Sequence, residues 1–128
     1  MNFIDSVGNK FLSSLFPEGI NEHVLLGQLC LDFTDRLRMH IHVAQRPARE
    51  VDKWGLWGKN YNVIVIELIG QSIEKIEVHN WQNIDFCQLC FSYKEGIYDL
   101  EFKGDSWWVS LAFKALIFQR CNVYEMSS

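Results

Sequence analysis

The chain has 128 residues, and twelve Lys/Arg against sixteen Asp/Glu leave a formal charge of −4 at neutral pH. With 48% apolar and 14% aromatic residues it has ample material for a core, which excludes wholesale disorder. The acidic balance excludes a generic binder of phosphate backbones, which needs clustered Lys and Arg, and it favours a basic protein partner.

Residues 1–16 predict one amphipathic helix. Ile4, Val7, Phe11 and Leu15 recur at helical spacing, with Phe3 and Leu12 widening the stripe. Asn2 is placed to cap its start and Pro17-Glu18-Gly19 to end it. A membrane-surface helix wants Lys/Arg on its polar face and only Lys10 is there, so the helix is expected to pack on the domain.

After Gly19 the period changes to two. Val24 to Thr34 reads as a strand with a wobble at Gly27, followed by a turn around Asp35-Arg36. Leu37, Met39, Ile41 and Val43 then alternate with Arg38, His40, His42 and Ala44, the pattern of a half-buried strand. Gln45 to Asn62, with Pro47, Gly55 and Gly58, breaks the pattern and predicts a long loop. Val63 to Ile69 is apolar at both parities up to Glu67, as in a central strand covered on both faces. Ile73 to His79 predicts a further strand with a bulge, and Ile84 to Tyr93 another, ending at the turn Lys94-Glu95-Gly96. Tyr98, Leu100 and Phe102 alternate with Asp99, Glu101 and Lys103. Gly104-Asp105 then turns into Trp107–Phe113, and a last pair of extended segments covers Leu116 to Tyr124. Short turns between consecutive strands predict a mainly β single domain over residues 1–128. Its body, 23–124, is an antiparallel meander, a sandwich or a strongly curved sheet with one N-terminal amphipathic helix.

No apolar run approaches the roughly 20 residues that span a bilayer, and Asp5 and Lys10 interrupt any secretory pattern. Four cysteines in a chain able to build its own core do not demand a disulfide framework, so a cytoplasmic, reduced setting is expected.

Cys87-Gln88-Leu89-Cys90 invites a redox or zinc reading, but Cys87 and Cys90 fall within an expected strand. Residues three apart there face opposite ways, and no second ligand pair follows. His40 and His42 share one strand face, a spacing some metal sites use; they need further ligands that the spacing does not supply, with His79 the third histidine to weigh. Asp32 with Asp35, and Asp99 with Glu101, pair carboxylates without the partners that acid–base catalysis requires. No catalytic residue, cofactor or metal site is therefore expected. Trp54 is expected to plug the core. Trp57 is open between plug and exposed anchor, and Trp107 and Trp108, adjacent on a strand, must point to opposite faces. An exposed tryptophan beside carboxylates is the composition of a protein-binding hot spot.

From about His23 to Tyr124 the chain resembles the bacterial polymorphic-toxin immunity family known as immunity protein 50. The resemblance is carried by Val24-Leu25-Leu26-Gly27-Gln28-Leu29, by Leu37-Arg38-Met39-His40-Ile41, and by a Pro-containing loop ending in Lys53-Trp54. Asn62-Val63-Ile64-Val65-Ile66, an acidic-aliphatic strand running into Asn80-Trp81, and a terminal Val123-Tyr124 complete it. It implies a small cytoplasmic inhibitor, not an enzyme, that protects its producer by binding a cognate toxin domain. A basic nuclease would suit the charge, and no nucleic-acid or membrane partner is implied. The residues expected to touch the toxin are Trp57 and Tyr61 in the loop, one of Trp107 and Trp108, and Asp99 and Glu101 as steering charges. Two rival readings remain: a β module binding a small ligand in an interior cavity, and a metal-dependent enzyme built on His40 and His42.

Overall fold

Two short helices open the chain in the computed structural model, which describes residues 2–127. They are α1 (Phe3–Val7) and α2 (Lys10–Leu15), so the single helix expected over residues 1–16 is broken in the middle. The break is chemical. Gly8 takes a left-handed conformation that ends α1, and the Asn9 side chain then accepts from the Leu12 N–H to start α2. Asn2 caps α1 in the same way through the Asp5 N–H. Both helices bury their apolar stripe: Phe3, Ile4, Leu12 and Leu15 are all within the core.

Six strands follow: β1 (Val24–Asp32), β2 (Arg36–Val43), β3 (Val63–His79), β4 (Leu89–Lys94), β5 (Ile97–Lys103) and β6 (Trp108–Tyr124). They form one antiparallel sheet in the order β1-β2-β3-β6-β5-β4. In β2 the alternation expected from the sequence is exact in its burial, with Leu37, Met39, Ile41 and Val43 inside. The wobble at Gly27 is a register shift between Leu26 and Gln28. The strand stops at Asp32, two residues short of expectation, and Phe33-Thr34-Asp35 make the turn.

The larger correction concerns β3 and β6. Sequence pattern divides β3 into two strands and β6 into Trp107–Phe113 and a further pair of extended segments, yet each is a single strand of 17 residues, and they pair from Val63↔Tyr124 to His79↔Trp108. The interruptions are bulges, between Glu67 and Leu68 and between Ile73 and Lys75, with Ser72 in a left-handed conformation. A bulge bends a strand and tightens its twist without reversing it. The Ile84–Tyr93 segment is a strand only from Leu89; before that Cys87 exchanges two backbone hydrogen bonds with Val24, both 2.8 Å. The segment leading into one edge strand thus touches the start of the other, so the sheet is strongly curled and nearly closes on itself.

The inner face carries the core. Leu26, Ile41, Ile66, Leu111, Phe102 and Phe113 meet the helical Leu12 and Leu15 there, and the space inside the curl is occupied by these side chains. Burying them supplies the main driving force for folding, roughly 1.5–3 kcal/mol for each large apolar side chain.

Candidate interaction surface

Strand pairing decides which side chains share the outer face, because residues directly opposite each other on neighbouring antiparallel strands point the same way. Three rungs across β3, β6 and β5 result: His79–Trp108–Lys103, Glu77–Ser110–Glu101 and Lys75–Ala112–Asp99. All point away from the core, since the alternate positions Val109, Leu111, Leu100 and Phe102 are buried inside.

The Trp107-Trp108 pair splits as strand geometry demands. Trp107 turns inward and is buried, packed so closely over Gly104 that a Cβ there would stand 2.0 Å from its indole nitrogen. Trp108 turns outward and stacks on His79, with ring centroids 4.1 Å apart and planes 22° apart. Of the two, Trp108 is therefore the surface candidate.

Asp99 and Glu101 lie on this same face beside it. Lys75 reaches Asp99 at 3.9 Å, a partly exposed pair of small energetic weight. Glu77 and Glu101 have no ion-pair partner among the described residues. Between them the small residue Ser110 is only 4% exposed. The register sets two small residues, Ser110 and Ala112, on the middle strand, with Glu77 and Glu101 on either side of Ser110 and Trp108 one rung away.

Sequence reasoning missed Glu77 and Ser110, and weighed His79 only as a metal ligand. Each has the outward parity of its strand, but their convergence on Trp108 depends on the β3–β6 register, which local pattern does not encode.

The loop residues lie elsewhere. Tyr61 is fully buried and is not a surface residue. Its ring stands edge-on to Trp54 at 5.8 Å and to Trp57 at 5.4 Å, and Trp54 in turn meets Phe11 at 5.9 Å. The loop folds down onto α2, which makes Trp54 the expected core plug and Tyr61 a second one. Trp57 is half-buried against Tyr61. It precedes Val63 at the start of β3, whereas Trp108 pairs with His79 at that strand's far end, so the structure does not join the two tryptophans into one patch.

His40 and His42 do share an outer face, at the other half of the sheet, and each has a protein partner. His40 Nε2 lies 3.0 Å from Glu67 Oε1, and His42 Nδ1 lies 2.7 Å from the Tyr124 hydroxyl. Glu67, a carboxylate only 8% exposed, also takes Arg120 at 3.7 Å. His42 presses on Gly27 so closely that a Cβ there would lie 2.3 Å from its Nε2. Burial, and then the neighbouring His40, hold the His42 imidazole below the usual histidine range. His79 is on the Trp108 face instead. Among the described residues no three His, Cys, Asp or Glu side chains are placed to hold a metal ion.

Asp32 pairs with Arg38 at 3.7 Å, while Asp35 accepts from the Ile73 N–H at 3.1 Å, so those two carboxylates do separate structural work. Cys87 is buried and Cys90 exposed, and all four cysteines are free. Concavities of about 310, 510 and 400 Å³ lie at the surface, around Phe3 and Phe91, around His23 and Trp107, and between Gly27 and Trp81. No helix among the described residues is long and apolar enough to cross a membrane. Comparison with family models, with curated proteins and with solved structures returns no match.

Proposed function

We propose that this protein is an immunity protein, which binds a bacterial toxin domain and blocks it. One observation carries the reading: Trp108, which strand geometry turns to the outer face, stands beside two carboxylates that have no ion-pair partner within the described chain. A tryptophan in such a place anchors a partner, and charge around it sets orientation and approach rate. The occupied interior supports an inhibitor over a carrier of small ligands. A net charge of −4 favours a toxin with a positively charged face, of the kind nucleic-acid-cleaving domains present. The resemblance of the strand cadences to immunity protein 50 points to the same activity. The protein then works as a stoichiometric plug: carboxylates speed encounter, the aromatic anchor slows dissociation, and no bond is made or broken.

Growth rescue tests this. The toxin domain encoded beside this protein, expressed alone, should stop growth, and co-expression of the wild-type chain should restore it. Trp108→Ala, folded to the same extent by circular dichroism, should protect poorly. If the wild-type chain gives no protection against that domain, the proposal fails.

A further inference from the structure

The border of β3 that faces β2 is only half used. β2 pairs with it from Ile64 to Gln71 and ends there, while β6 accompanies the other border on to His79. Beyond Gln71 the Asp35 carbonyl takes the Ser72 N–H and the Asp35 carboxylate the Ile73 N–H. Over residues 74–79 no backbone hydrogen bond outside the β6 ladder is made among the described residues. We propose that this free border, residues 74–78, pairs antiparallel with the same segment of a second copy of the chain, about a two-fold axis at Ile76, with Phe33 of each copy seated against Val78 and Trp81 of the other. Pairing of this kind is independent of the immunity reading.

A strand border without a neighbour offers a row of N–H and C=O groups, and a second strand satisfies them along their whole length. Charge selects the same segment as that strand. With Ile76 opposite Ile76, Lys75 of each copy stands opposite Glu77 of the other on the outer face, giving two cross-strand ion pairs. Moving the register by two residues sets Lys75 opposite Lys75, or Glu77 opposite Glu77. Moving it by one sets Glu74 opposite Glu77, or the inward Ile76 opposite the outward Glu77. One register attracts and its neighbours do not. Within its own chain Glu77 has no ion-pair partner among the described residues, and Lys75 has only Asp99, at 3.9 Å.

Shape selects the same register. Phe33, in the turn between β1 and β2, is fully exposed, and Asp35 fastens that turn beside Ser72 and Ile73. A concavity of about 400 Å³ lies where Gly27, Gln28 and Leu29 face Val78 and Trp81. Val78 there is 41% exposed, although its register partner Val109 is buried. With Ile76 on the axis, Ile73 falls opposite His79 of the other copy. The turn that carries Phe33 then meets the end of β3 where Val78 and Trp81 stand, and the two-fold axis makes this contact twice. Such self-complementarity is what a closed pair of identical chains requires. Trp108, Asp99 and Glu101 lie across the opposite border of β3, on β6 and β5, so each copy keeps the face proposed to meet a toxin.

Sedimentation of the full-length protein tests this. Wild type should pass from monomer to dimer with rising concentration, below the millimolar range. Lys75→Glu and Glu77→Lys, each checked for folding by circular dichroism, put like charges opposite each other in their own dimers. Each should weaken self-association about tenfold. An equimolar mixture of the two variants brings opposite charges back across the axis and should associate as tightly as wild type. Phe33→Ala, at an exposed turn, should weaken the dimer severalfold. The proposal is overturned by a wild type that stays monomeric, by charge variants that dimerise like wild type, or by a mixture no tighter than its components. A dimer that Phe33→Ala leaves unchanged overturns it too. So does a monomer in which only added toxin domain protects the amides of residues 74–78 from exchange, because the border then has a different occupant.

Discussion

At the scale of single residues, the molecule keeps polar groups buried where local geometry supplies a partner, and three buried side-chain atoms among the described residues break that rule: Nε of Arg36, Nε of Arg38 and the hydroxyl of Tyr61. Burial also makes the Tyr61 hydroxyl harder to ionise. Nothing in the aromatic cluster of Trp54, Trp57 and Phe11 can accept from it. Tyr61→Phe therefore removes a penalty while keeping the ring, and urea denaturation should show stability unchanged or raised by up to about 1 kcal/mol. A loss above about 1 kcal/mol would mean the hydroxyl has a partner. His42 gives a pH signature. Its folded pKa lies below the unfolded value of about 6.5, so the unfolded chain binds the proton first. The contribution of neutral His42 is fully present above that value and is lost as pH falls through the folded pKa. The melting temperature should fall on acidification from pH 7 to 5, and His42→Gln should flatten that slope; an unaltered slope would contradict the assignment.

At the scale of elements, period-two alternation was legible wherever one face of a strand meets water, as from Leu37 to Val43 and from Tyr98 to Phe102. It failed where chain direction is held through a disturbance. Gly70-Gln71-Ser72 has the composition of a turn, but Ser72 adopts its left-handed conformation inside a ladder that β6 keeps paired on both sides. A turn and a bulge use the same residues, and only the non-local partner distinguishes them. The β1–β2 turn locks this bulge, because Asp35 accepts from the Ile73 N–H and its carbonyl accepts from the Ser72 N–H. Asp35 is itself left-handed, a conformation asparagine tolerates and alanine resists. Asp35→Ala should cost about 1–2 kcal/mol in urea denaturation, and Asp35→Asn much less. Equal costs would show that the side-chain acceptor is irrelevant. The single helix expected over residues 1–16 breaks for a related reason: the apolar stripe continues across Gly8-Asn9, although the pair is a helix stop followed by a helix start.

At the scale of the whole molecule, the long β3–β6 ladder organises everything else. Its bends curl the sheet around the helices, and the near contact of Val24 with Cys87 brings the two edges together. The curl leaves two outer faces of different character. One carries Arg38, His40, His42 and Arg120, each with a partner inside the chain: His40 and Arg120 on the buried Glu67, His42 on Tyr124 and Arg38 on Asp32. The other carries Trp108 with Glu77 and Glu101, which have no ion-pair partner among the described residues, and it is the face proposed to meet a partner. Of the residues expected from sequence to touch a partner, Trp108, Asp99 and Glu101 are gathered there, while Trp107 and Tyr61 belong to the core. Alternation within β5 made the acidic pair readable, but the face as a whole exists only through pairing across three strands. Calorimetric titration of the toxin domain into wild-type protein and into Trp108→Ala measures the central claim directly. Loss of the anchor should weaken affinity by roughly thirtyfold, about 2 kcal/mol, with the complex otherwise intact. Affinity unchanged in Trp108→Ala but abolished in Trp57→Ala would move the interface to the loop and contradict this account.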